Sequence, residues 1–433
     1  MNNFKFYTFE NREGNKYLYS GFTNLILEYS DRVKNFLETE NNTDDELKGY
    51  LYGPLENETE YSPPVKPFFS SILLFITNQC NLACSYCYER ANNLHNCERM
   101  DVNTVKNTIL LFIKNFEYSN KIGITFFGGE PLFNLSLIED SIKALNDVAQ
   151  NYDLQFNYSL TTNGTILNDD VINLLLKYKI NTQVSIDSNQ KIHDSCRKFH
   201  NGLGSYNLII DNVEKLSKYK DVSARVTLID LGIDLINMYK ELVNAGFSTV
   251  AVECVANKDF VIDNEDVIKF GDNLKSFADY FIDQIKQKRI VYFKDFLVKL
   301  KEIHIGNQAR NYPCNSGLSQ FSVATDGSIY FCHRFNNVPE FALGNIHTGF
   351  DNEKWMNLIN NFQVSVRGKG LCGECWAERL CGGNCYYTSY IETGSATSIG
   401  NIFCGIRKKI YEMVLYIYTS LNEEEKLFLD NTE

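Results

Sequence analysis

The sequence predicts an α/β protein built around a parallel sheet of six strands that alternate with helices. Three observations lead to this class: short β-rich apolar runs recur between residues 71 and 255, amphipathic stretches separate them, and the runs are apolar along nearly their whole length. Strand–helix alternation favours parallel pairing with right-handed crossovers, and continuous apolar strands suit a sheet that is buried on both faces. The predicted strands are 71–77, 123–127, 155–161, 182–187, 224–229 and 249–255.

The stretches between these strands carry apolar residues at helical spacing. Examples are Val102, Val105, Ile109, Leu110 and Ile113, and then Val171, Leu174, Leu175 and Tyr178. A longer helical stretch follows the last strand, at about 264–290.

The first seventy residues predict a small α+β module. Short strands are expected at 4–9, 16–20 and 24–29, and a helix at 31–40. The polar, acidic stretch 40–64 has the composition of a linker. The chain is accordingly divided into an N-terminal module, a barrel domain and a cysteine-rich domain, at 1–66, 67–300 and 301–433.

Composition and charge exclude several classes of protein. The 433 residues are 44% hydrophobic and 13% aromatic, which is typical of a globular chain with room for roughly two to three domains. A net charge of −12 argues against general electrostatic binding of the protein to nucleic acid or anionic lipid. The N-terminus lacks the apolar core of a signal peptide, and apolar runs such as 72–76 fall far short of the ~20 residues that span a bilayer. We predict a cytoplasmic protein without a nucleic-acid or membrane partner.

Thirteen cysteines are the unusual feature of the composition. Three lie at 80–87 and seven between 314 and 404, while Cys97, Cys196 and Cys254 stand apart. In a large chain without a signal peptide this distribution points to metal ligation and not to disulfides. The three isolated cysteines are expected to be small buried hydrophobic residues.

The first cysteine group lies in the stretch TNQCNLACSYCYER, where Cys80, Cys84 and Cys87 are separated by three and then two residues. Two kinds of site fit these thiolates. One is a structural zinc site that takes His95 or Cys97 as its fourth ligand. The other is a 4Fe–4S cluster whose fourth iron is left open for a small-molecule ligand.

Further motifs follow the next predicted strands. GGEP (128–131) follows the second strand, TNGT (162–165) follows the third, and Ser185 and Asp187 close the fourth. The carboxyl ends of parallel strands share one edge of a sheet, where α/β folds build their sites. We therefore expect these motifs to meet the first cysteine group at one rim.

These residues resemble the radical S-adenosylmethionine (radical SAM) enzymes. CNLACSYC, with Tyr86 before the third cysteine, matches their Cys-x3-Cys-x2-Cys signature, and FFGGEPL (126–132) looks like their glycine-rich element. VSIDSNQKIHDSCR (184–197) is similar to their Ser-x-Asp segment followed by His-Asp-x-x-Arg. The resemblance implies a partial (β/α)6 barrel and a 4Fe–4S cluster on the first cysteine group. It also implies reductive cleavage of SAM to a 5′-deoxyadenosyl radical that abstracts a hydrogen atom from the substrate.

The same resemblance implies six residues that contact SAM. They are Tyr86, Gly129, Glu130, Asn163, Ser185 and Arg197. Glu130 would accept hydrogen bonds from the SAM ammonium, while Ser185 and Arg197 would hold its carboxylate and ribose.

Structural roles fit the same stretch of sequence. Gly128 and Gly129 suit a turn ahead of a helix, and Asn163 suits turn chemistry. Arg197 could instead form a salt bridge to Asp187 or Asp194. His193 and Asp194 themselves are expected to be capping or turn residues.

The last seven cysteines have a pattern of their own. Cys314 is followed by Gly327 and Cys332, then by CGECWAERLCGGNC (372–385), and finally by Cys404. Cysteines spaced in this way could hold two zinc ions. Their order also resembles, position by position, the SPASM domain, which carries two auxiliary 4Fe–4S clusters. This resemblance implies a distal cluster on Cys372, Cys375, Cys381 and Cys404 and a proximal cluster on Cys314, Cys332 and Cys385.

The proximal set has only three thiolates. Residues 304–313, HIGNQARNYP, contain no cysteine that could supply a fourth. Either one iron is open and can bind a substrate thiolate, or a non-cysteine ligand or Cys254 closes the cluster. His333 follows Cys332 at a position that is an aspartate base in the sulfatase-maturing enzymes of this group. It could titrate near neutrality and take a proton, or it could be a buried structural histidine.

The N-terminal module has two interpretations. It resembles the recognition elements of peptide-modifying radical SAM enzymes, which implies that it captures a leader peptide by adding the peptide as a strand to an exposed sheet edge. The other interpretation is a cap that closes the open barrel.

We therefore predict an anaerobic radical SAM enzyme with SAM and three 4Fe–4S clusters as its cofactors. Its expected activity is the maturation of a ribosomally made precursor peptide by a thioether or carbon–carbon crosslink. A low-potential donor such as flavodoxin or ferredoxin would supply electrons. One alternative is a sulfatase-maturing-type enzyme that oxidises a Cys or Ser to formylglycine. Another is a non-catalytic, zinc-bound peptide-binding protein, against which Glu130, Ser185 and Arg197 argue.

Overall fold

Two β-sheets organise the chain in a computed structural model, which describes residues 5–39, 43–53, 62–89, 98–306 and 310–430. The strands are β1 (Phe6–Glu10), β2 (Lys16–Ser20), β3 (Ile26–Glu28), β4 (Phe68–Thr77), β5 (Glu117–Gly128), β6 (Gln155–Thr162), β7 (Asn181–Ser185), β8 (Val222–Leu228), β9 (Thr249–Cys254), β10 (Gln320–Val323), β11 (Ser328–Tyr330), β12 (Ala342–Asn345) and β13 (Gly349–Phe350).

Helices connect and cover these strands. They are α1 (Asp31–Glu38), α2 (Asp45–Tyr52), α3 (Val102–Asn115), α4 (Leu135–Tyr152), α5 (Asp169–Lys177), α6 (Gln190–Cys196), α7 (Tyr206–Leu216), α8 (Leu235–Asn244), α9 (Asn264–Lys286), α10 (Lys294–His304), α11 (Asn352–Phe362), α12 (Val364–Arg367), α13 (Glu378–Cys381), α14 (Tyr386–Thr393), α15 (Asn401–Ser420) and α16 (Glu423–Lys426). Short 3₁₀ turns lie at Pro131–Asn134, His333–Phe335, Pro339–Phe341 and Leu427–Asp430. Within the described ranges, no helix is both long enough and apolar enough to cross a membrane.

Strands β4 to β9 form the parallel core. They lie side by side in chain order, and every neighbouring pair is parallel. Each overlaps one of the six strands predicted from sequence, so that prediction is confirmed. The apolar run of β4 is buried, with Ile72, Leu74 and Ile76 fully inaccessible to solvent. Helices between successive strands give this partial (β/α)6 barrel its outer layer.

The sheet does not end at the predicted domain boundary near residue 300. β10 pairs in parallel with β4, so that Phe321 lies opposite Ile72. β11, β12 and β13 then continue the same sheet in antiparallel order, which makes it ten-stranded. The cysteine-rich part of the chain is therefore joined to the barrel by backbone hydrogen bonds along the first barrel strand.

The N-terminal module is a three-stranded antiparallel sheet in the order β1-β2-β3. Leu18 of this sheet packs on α1 and α2 through Val33, Phe36, Leu47 and Leu51.

Other residues of the module contact the cysteine-rich part of the chain. Tyr7 stacks on Trp376 with ring centroids 4.4 Å apart, and Lys5 forms a salt bridge with Glu378. The module therefore lies against the segment that carries the predicted distal cysteines.

The prediction of a linker at residues 40–64 is wrong for part of that stretch. α2 lies inside it, begins with an Asp44 side chain that accepts a hydrogen bond from the Leu47 N–H, and buries Leu47 and Leu51. The acidic composition concealed this helix because only two of its residues face the module's core. Residues 54–61 of the predicted linker lie outside the described part of the chain.

Candidate active site

The loops that follow β4, β5 and β6 meet at one rim, as the sequence predicts. Asn163, after β6, donates a hydrogen bond from its side-chain amide to Asn81 Oδ1 at 2.8 Å, and its Nδ2 lies 3.7 Å from Cys80 Sγ. The Asn163 N–H donates to Glu130 Oε2 at 2.7 Å. Asn163 therefore joins the cysteine loop to the glycine-rich motif.

The three cysteines of the first group share one small apolar cluster with Leu82 and Phe199. All the described cysteines are free thiols. Burial raises the pKa of Cys80 to about 12 and that of Cys84 to about 11, and Cys87 is an electrostatic neighbour of both. Thiols with such pKa values release their protons only when a metal binds them as thiolates. His95 and Cys97, the predicted fourth ligands of a zinc site, lie outside the described residues.

Residues 196–199 form backbone hydrogen bonds to the cysteine loop, a contact that the sequence analysis did not predict. Lys198 and Cys196 accept backbone hydrogen bonds from Ala83 at 2.7 Å and Ser85 at 3.0 Å. Leu82 pairs with Phe199 in an isolated antiparallel bridge. Short stretches of this kind have no periodic signal, so only the Arg197 motif beside them could have drawn attention to the segment.

Glu130 is fully buried, and its carboxylate is engaged within the protein. Oε1 accepts hydrogen bonds from the Thr162 hydroxyl at 2.8 Å and the Leu132 N–H at 3.1 Å, while Oε2 accepts from the Asn163 N–H. Burial raises its pKa to about 7, against the opposing effect of these three donors. A carboxylate has about four acceptor positions, so one is left for a further donor such as an ammonium.

The glycines before Glu130 are required by close backbone approach. Gly128 has a φ of +132°, and a Cβ at Gly129 would lie 2.4 Å from the Gln79 carbonyl oxygen. The Gly129 N–H donates to the Thr77 carbonyl at 2.9 Å. The turn interpretation of this pair is therefore confirmed, and the turn holds the glycine-rich motif directly against the cysteine loop.

Asp187 is a buried hub at the end of β7. Its Oδ2 accepts hydrogen bonds from the Tyr86 hydroxyl and from Arg197 Nε, the latter at 3.1 Å, and its Oδ1 accepts from the Thr227 N–H at 3.1 Å. The carboxylate is fully inaccessible to solvent. The salt bridge from Arg197 to Asp187 that the sequence allowed is therefore present.

Arg197 also lies over the ring of Tyr86, with its guanidinium carbon 5.1 Å from the ring centroid. Tyr86 and Arg197, two of the residues predicted to contact SAM, are thus held together beside Cys84. Burial raises the pKa of Cys84, and the positive charge of Arg197 opposes this shift. Arg197 has further N–H groups beyond the Nε that binds Asp187.

Ser185 ends β7 and is half-buried. Three residues later, the hydroxyl of Ser188 is inaccessible to solvent and has no hydrogen-bond partner in the described residues. Sequence reasoning missed Ser188, although it stands in the same motif. A buried hydroxyl without a partner is unusual, and it fits a loop that completes its hydrogen bonds with a polar ligand such as SAM.

His193 and Asp194 both have structural roles, although His193 is a buried hydrogen-bonding residue of α6 and not the predicted cap or turn residue. His193 Nδ1 accepts a hydrogen bond from the Asp187 N–H at 3.1 Å, and Nε2 lies 2.9 Å from the Ser205 hydroxyl. Burial lowers its pKa to about 3, so the ring is neutral. Asp194 Oδ1 accepts from the Ser205 and Tyr206 N–H groups at the start of α7.

The seven C-terminal cysteines have one another as electrostatic neighbours. The pKa of Cys332 is raised to about 12 by burial and then by Cys314 and Cys385. The pKa of Cys404 is likewise raised to about 12 by burial and then by Cys381, Cys372 and Cys375. In the described residues, no three His, Cys, Asp or Glu side chains are arranged to hold one metal ion. A four-iron cluster spaces its ligands more widely than zinc does, because each thiolate binds a different iron.

Cys196 and Cys254 are buried free thiols, as predicted. Burial raises the pKa of Cys254, whose charged neighbours are Glu253, Arg407 and Asp295. It lies in the wall of a cavity together with these residues. Cys97 lies outside the described residues.

Of the two interpretations of His333, the surroundings of the ring favour the structural one. Burial, followed by the positive charges of Arg334 and Arg225, lowers its pKa to about 3. Its ring packs edge-on against Phe127 and Tyr88, with centroids 5.7 and 6.1 Å apart. The neutral ring has the surroundings of a structural histidine.

Replacing Asp187 by Asn should lower the free energy of unfolding by about 3–5 kcal/mol, because Arg197 then stays buried without its carboxylate partner. Chemical unfolding under anaerobic conditions, followed by tryptophan fluorescence, measures the change. The control is Asp211→Asn, at an exposed position of α7, which should stay within about 0.5 kcal/mol of the parent. Equal stability of the two variants would contradict the role of Asp187 as a hub.

Residues 74–251 match the family model described as the Radical SAM superfamily. The uncharacterized protein MJ0907 of Methanocaldococcus jannaschii is 40% identical over 131 residues, which are 30% of this chain and 43% of that protein. A cysteine-type anaerobic sulfatase-maturating enzyme of Clostridium novyi is 26% identical over 357 residues, which are 78% of this chain and 92% of that enzyme. The chain thus matches less than half of the first relative and most of the second.

Solved structures share the fold. Native anSMEcpe with bound AdoMet and Cp18Cys peptide has a TM-score of 0.68 and 22% identity, over 85% of this chain and 100% of that one. Streptococcus suis SuiB bound to its precursor peptide SuiA has a TM-score of 0.52 and 13% identity, over 93% and 98% of the two chains. The family match, the homology and the fold agree with the motif at the barrel rim. The chain therefore contains a radical SAM domain at residues 74–251 and is similar in sequence to the anaerobic sulfatase-maturating enzymes.

Proposed function

We propose that the enzyme matures a ribosomally made precursor peptide by abstracting a hydrogen atom from it and installing a thioether or carbon–carbon crosslink. The observation that carries this proposal is a set of ten free cysteines, three of them together at the barrel rim and seven in the C-terminal part. A 4Fe–4S cluster bound at the rim would supply the electron that cleaves SAM to its radical. The peptide bound in anSMEcpe and the one bound by SuiB support a peptide as substrate.

In this proposal SAM lies against the residues gathered around Cys80 and Cys84. The SAM ammonium takes the remaining acceptor position of Glu130, next to Gly129 and Asn163. A cation there favours the ionised carboxylate, which burial alone disfavours.

The other SAM contacts come from the β7 side of the rim. Ser185 and the N–H groups of Arg197 that do not bind Asp187 hold the SAM carboxylate and ribose, and Ser188 gains a partner. Tyr86 positions Arg197 through its ring and through the shared carboxylate of Asp187.

The C-terminal part, from about residue 301, is proposed to be a SPASM domain with two auxiliary 4Fe–4S clusters. Cys372, Cys375, Cys381 and Cys404 would bind the distal cluster. Cys314, Cys332 and Cys385 would bind the proximal cluster. A flavodoxin- or ferredoxin-like donor would deliver electrons. The proximal cluster would either offer an open iron to a substrate thiolate or be closed by a non-cysteine ligand or Cys254.

The N-terminal module, residues 1–66, is proposed to bind the leader of the peptide at the outer edge of β3. Hydrogen bonds from the Ser20 N–H to Leu25 and from the Tyr29 N–H to Lys16 place residues 25, 27 and 29 toward β2. The backbone groups of Ile26 and Glu28 therefore point away from the sheet. One face of the sheet packs against the Trp376 cluster of the C-terminal part through Tyr7, Tyr19 and Ile26, so both edge strands take part in that contact through side chains.

A second candidate is the sulfatase-maturing type of reaction, in which a Cys or Ser becomes formylglycine. Homology over 92% of the Clostridium novyi enzyme favours it. A neutral, weakly basic His333 in place of the aspartate base disfavours it. Because crosslinking and aldehyde formation leave different products on the peptide, one experiment separates them.

Anaerobic co-expression with each small open reading frame that flanks the gene should yield one peptide that has lost two hydrogens per crosslink, located by fragmentation in mass spectrometry. The matched control is the Cys84→Ala variant, which lacks a predicted cluster ligand and should leave the peptide unchanged. A product that reacts with a hydrazide probe would instead establish an aldehyde and the formylglycine reaction. Unmodified peptides, from an enzyme that still cleaves SAM, would refute peptide maturation of these substrates.

Reconstituted protein should contain about 12 iron atoms per chain, because three 4Fe–4S clusters are expected. Joint replacement of Cys80, Cys84 and Cys87 by Ala should reduce this to about 8, and joint replacement of Cys372, Cys375 and Cys381 should do the same. Iron analysis and visible absorbance measure the change. Colourless protein that contains zinc would contradict the cluster assignment and support the non-catalytic alternative.

Glu28→Pro should weaken binding of the unmodified peptide about tenfold, because proline removes an N–H that an added strand would use. Thr8→Pro on the outer edge of β1 is the matched control, since both side chains are exposed and both positions face away from β2. Fluorescence anisotropy with the labelled peptide measures both variants. If Thr8→Pro weakened peptide binding more than Glu28→Pro, the leader would bind at the edge of β1. If neither variant changed binding, the cap interpretation would be favoured.

A further inference from the structure

The N-terminal module lies directly against the loop that carries two of the predicted distal ligands. Trp376 follows Cys375 in this loop, and its ring stacks on Tyr7 of β1 with centroids 4.4 Å apart. The same ring packs edge-on against Tyr19 of β2 at 5.8 Å. In the described part of the chain, both ring partners of Trp376 therefore come from the module, and Trp376 is only 9% exposed.

The backbones of the module and the loop also touch. A Cβ on Gly21, just after β2, would lie 2.5 Å from the Trp376 carbonyl oxygen, so a larger residue does not fit there. Lys5 adds a salt bridge to Glu378, and the two side chains are only 16% and 18% exposed. A ring stack, a close backbone contact and an ion pair thus join the module to residues 375–378.

The thiols of this loop belong to the same packed cluster. Cys375 and Cys381 pack against a buried group in which Tyr19 comes from the module, while Tyr411 and Leu415 come from α15. Cys375 is also an electrostatic neighbour of the Tyr19 side chain. The module is therefore part of the wall around these two thiols.

Helix α15 holds the loop from another side. Cys404, the last predicted distal ligand, lies in the first turn of α15, and the Tyr411 hydroxyl donates to the Leu380 carbonyl at 2.8 Å. The far end of α15 is attached to the module, since Asn11 Nδ2 donates to the Thr419 carbonyl at 3.0 Å. The module thus contacts the loop and the helix that together carry the predicted distal ligands.

We propose that the N-terminal module is a structural part of the distal cluster site. Lys5, Tyr7 and Tyr19 are positioning residues, which hold the loop of Cys375 and Cys381 in place and keep water from the cluster bound there. This inference rests on the proposed distal cluster and not on the peptide substrate. A chelator reaches the iron of such a cluster only when the ligand loop opens locally, so the contacts of the module should slow the loss of iron.

The test follows iron release from the anaerobically reconstituted protein to the ferrous chelator bathophenanthroline disulfonate. In Tyr7→Ala, about four of the roughly 12 irons should leave about tenfold faster than in the wild type, because the stack that closes the loop is gone. The matched control is Phe6→Ala, on the opposite face of β1, where the ring packs against Tyr52 at 5.4 Å. Its iron should leave at the wild-type rate.

Two further variants keep the test decisive if Tyr7→Ala fails to fold. Tyr7→Phe retains the stacked ring and should behave like the wild type. Lys5→Gln removes only the ion pair with Glu378 and should speed the loss of the same irons about two- to threefold. Iodoacetamide labelling after the release, followed by peptide mass spectrometry, identifies the freed thiols. They should be Cys372, Cys375, Cys381 and Cys404.

Equal release rates in the wild type and Lys5→Gln, or equal acceleration by Phe6→Ala and Tyr7→Ala, would overturn the proposal. Faster release that frees the cysteines of the other two sets would also overturn it. Labelling of Cys375 and Cys381 before the chelator is added would show that they hold no cluster, and the distal assignment would then fail together with the proposal. The assay contains no peptide, so peptide maturation is judged separately by the co-expression experiment.

Discussion

The arrangement of the barrel rim depends on one buried carboxylate. Asp187 binds Tyr86 from the cysteine loop, Arg197 at the end of α6 and the backbone of Thr227 in β8, and all three are distant from one another in sequence. A buried carboxylate is stable only when charge and hydrogen bonds compensate it, so these contacts form together or not at all. The position of the cysteine loop is thereby fixed by the strand scaffold and not by the loop itself.

Glu130 has the same function on the other side of the loop. It joins the end of β6 to the first turn after β5, and Asn163 carries the connection on to Asn81. Backbone pairing with residues 196–199 closes the remaining side. A cluster ligand must be held in one geometry to bind and tune a reactive iron, and here three independent attachments supply that geometry.

The strands could be predicted because parallel strands buried on both faces leave an uninterrupted apolar signal, as in Ile72, Leu74 and Ile76. The grouping of the cysteines followed from their spacing and from family resemblance. The pairing of β10 with β4 could not be predicted, because a four-residue strand about 250 positions away has no local signal.

The sequence showed the role of Asp187 only in part. It allowed the salt bridge with Arg197, but the hydrogen bonds from Tyr86 and Thr227 depend on contacts that form only after folding. For His333 the residue type left titration and a structural role open, and the lowering of its pKa by desolvation and by Arg334 favours the structural role.

The charges around the auxiliary cysteines favour thiolate ligation in the folded enzyme. Arg367 is buried and donates to the Asn384 carbonyl and the Ser389 hydroxyl, and neither it nor Arg407 has a carboxylate salt bridge in the described residues. Both have Cys381 and Cys385 as electrostatic neighbours. Guanidinium groups out of water need negative charge nearby, and neutral thiols do not provide it. Thiolates would provide it, so the two arginines support the proposal that these cysteines bind metal as thiolates.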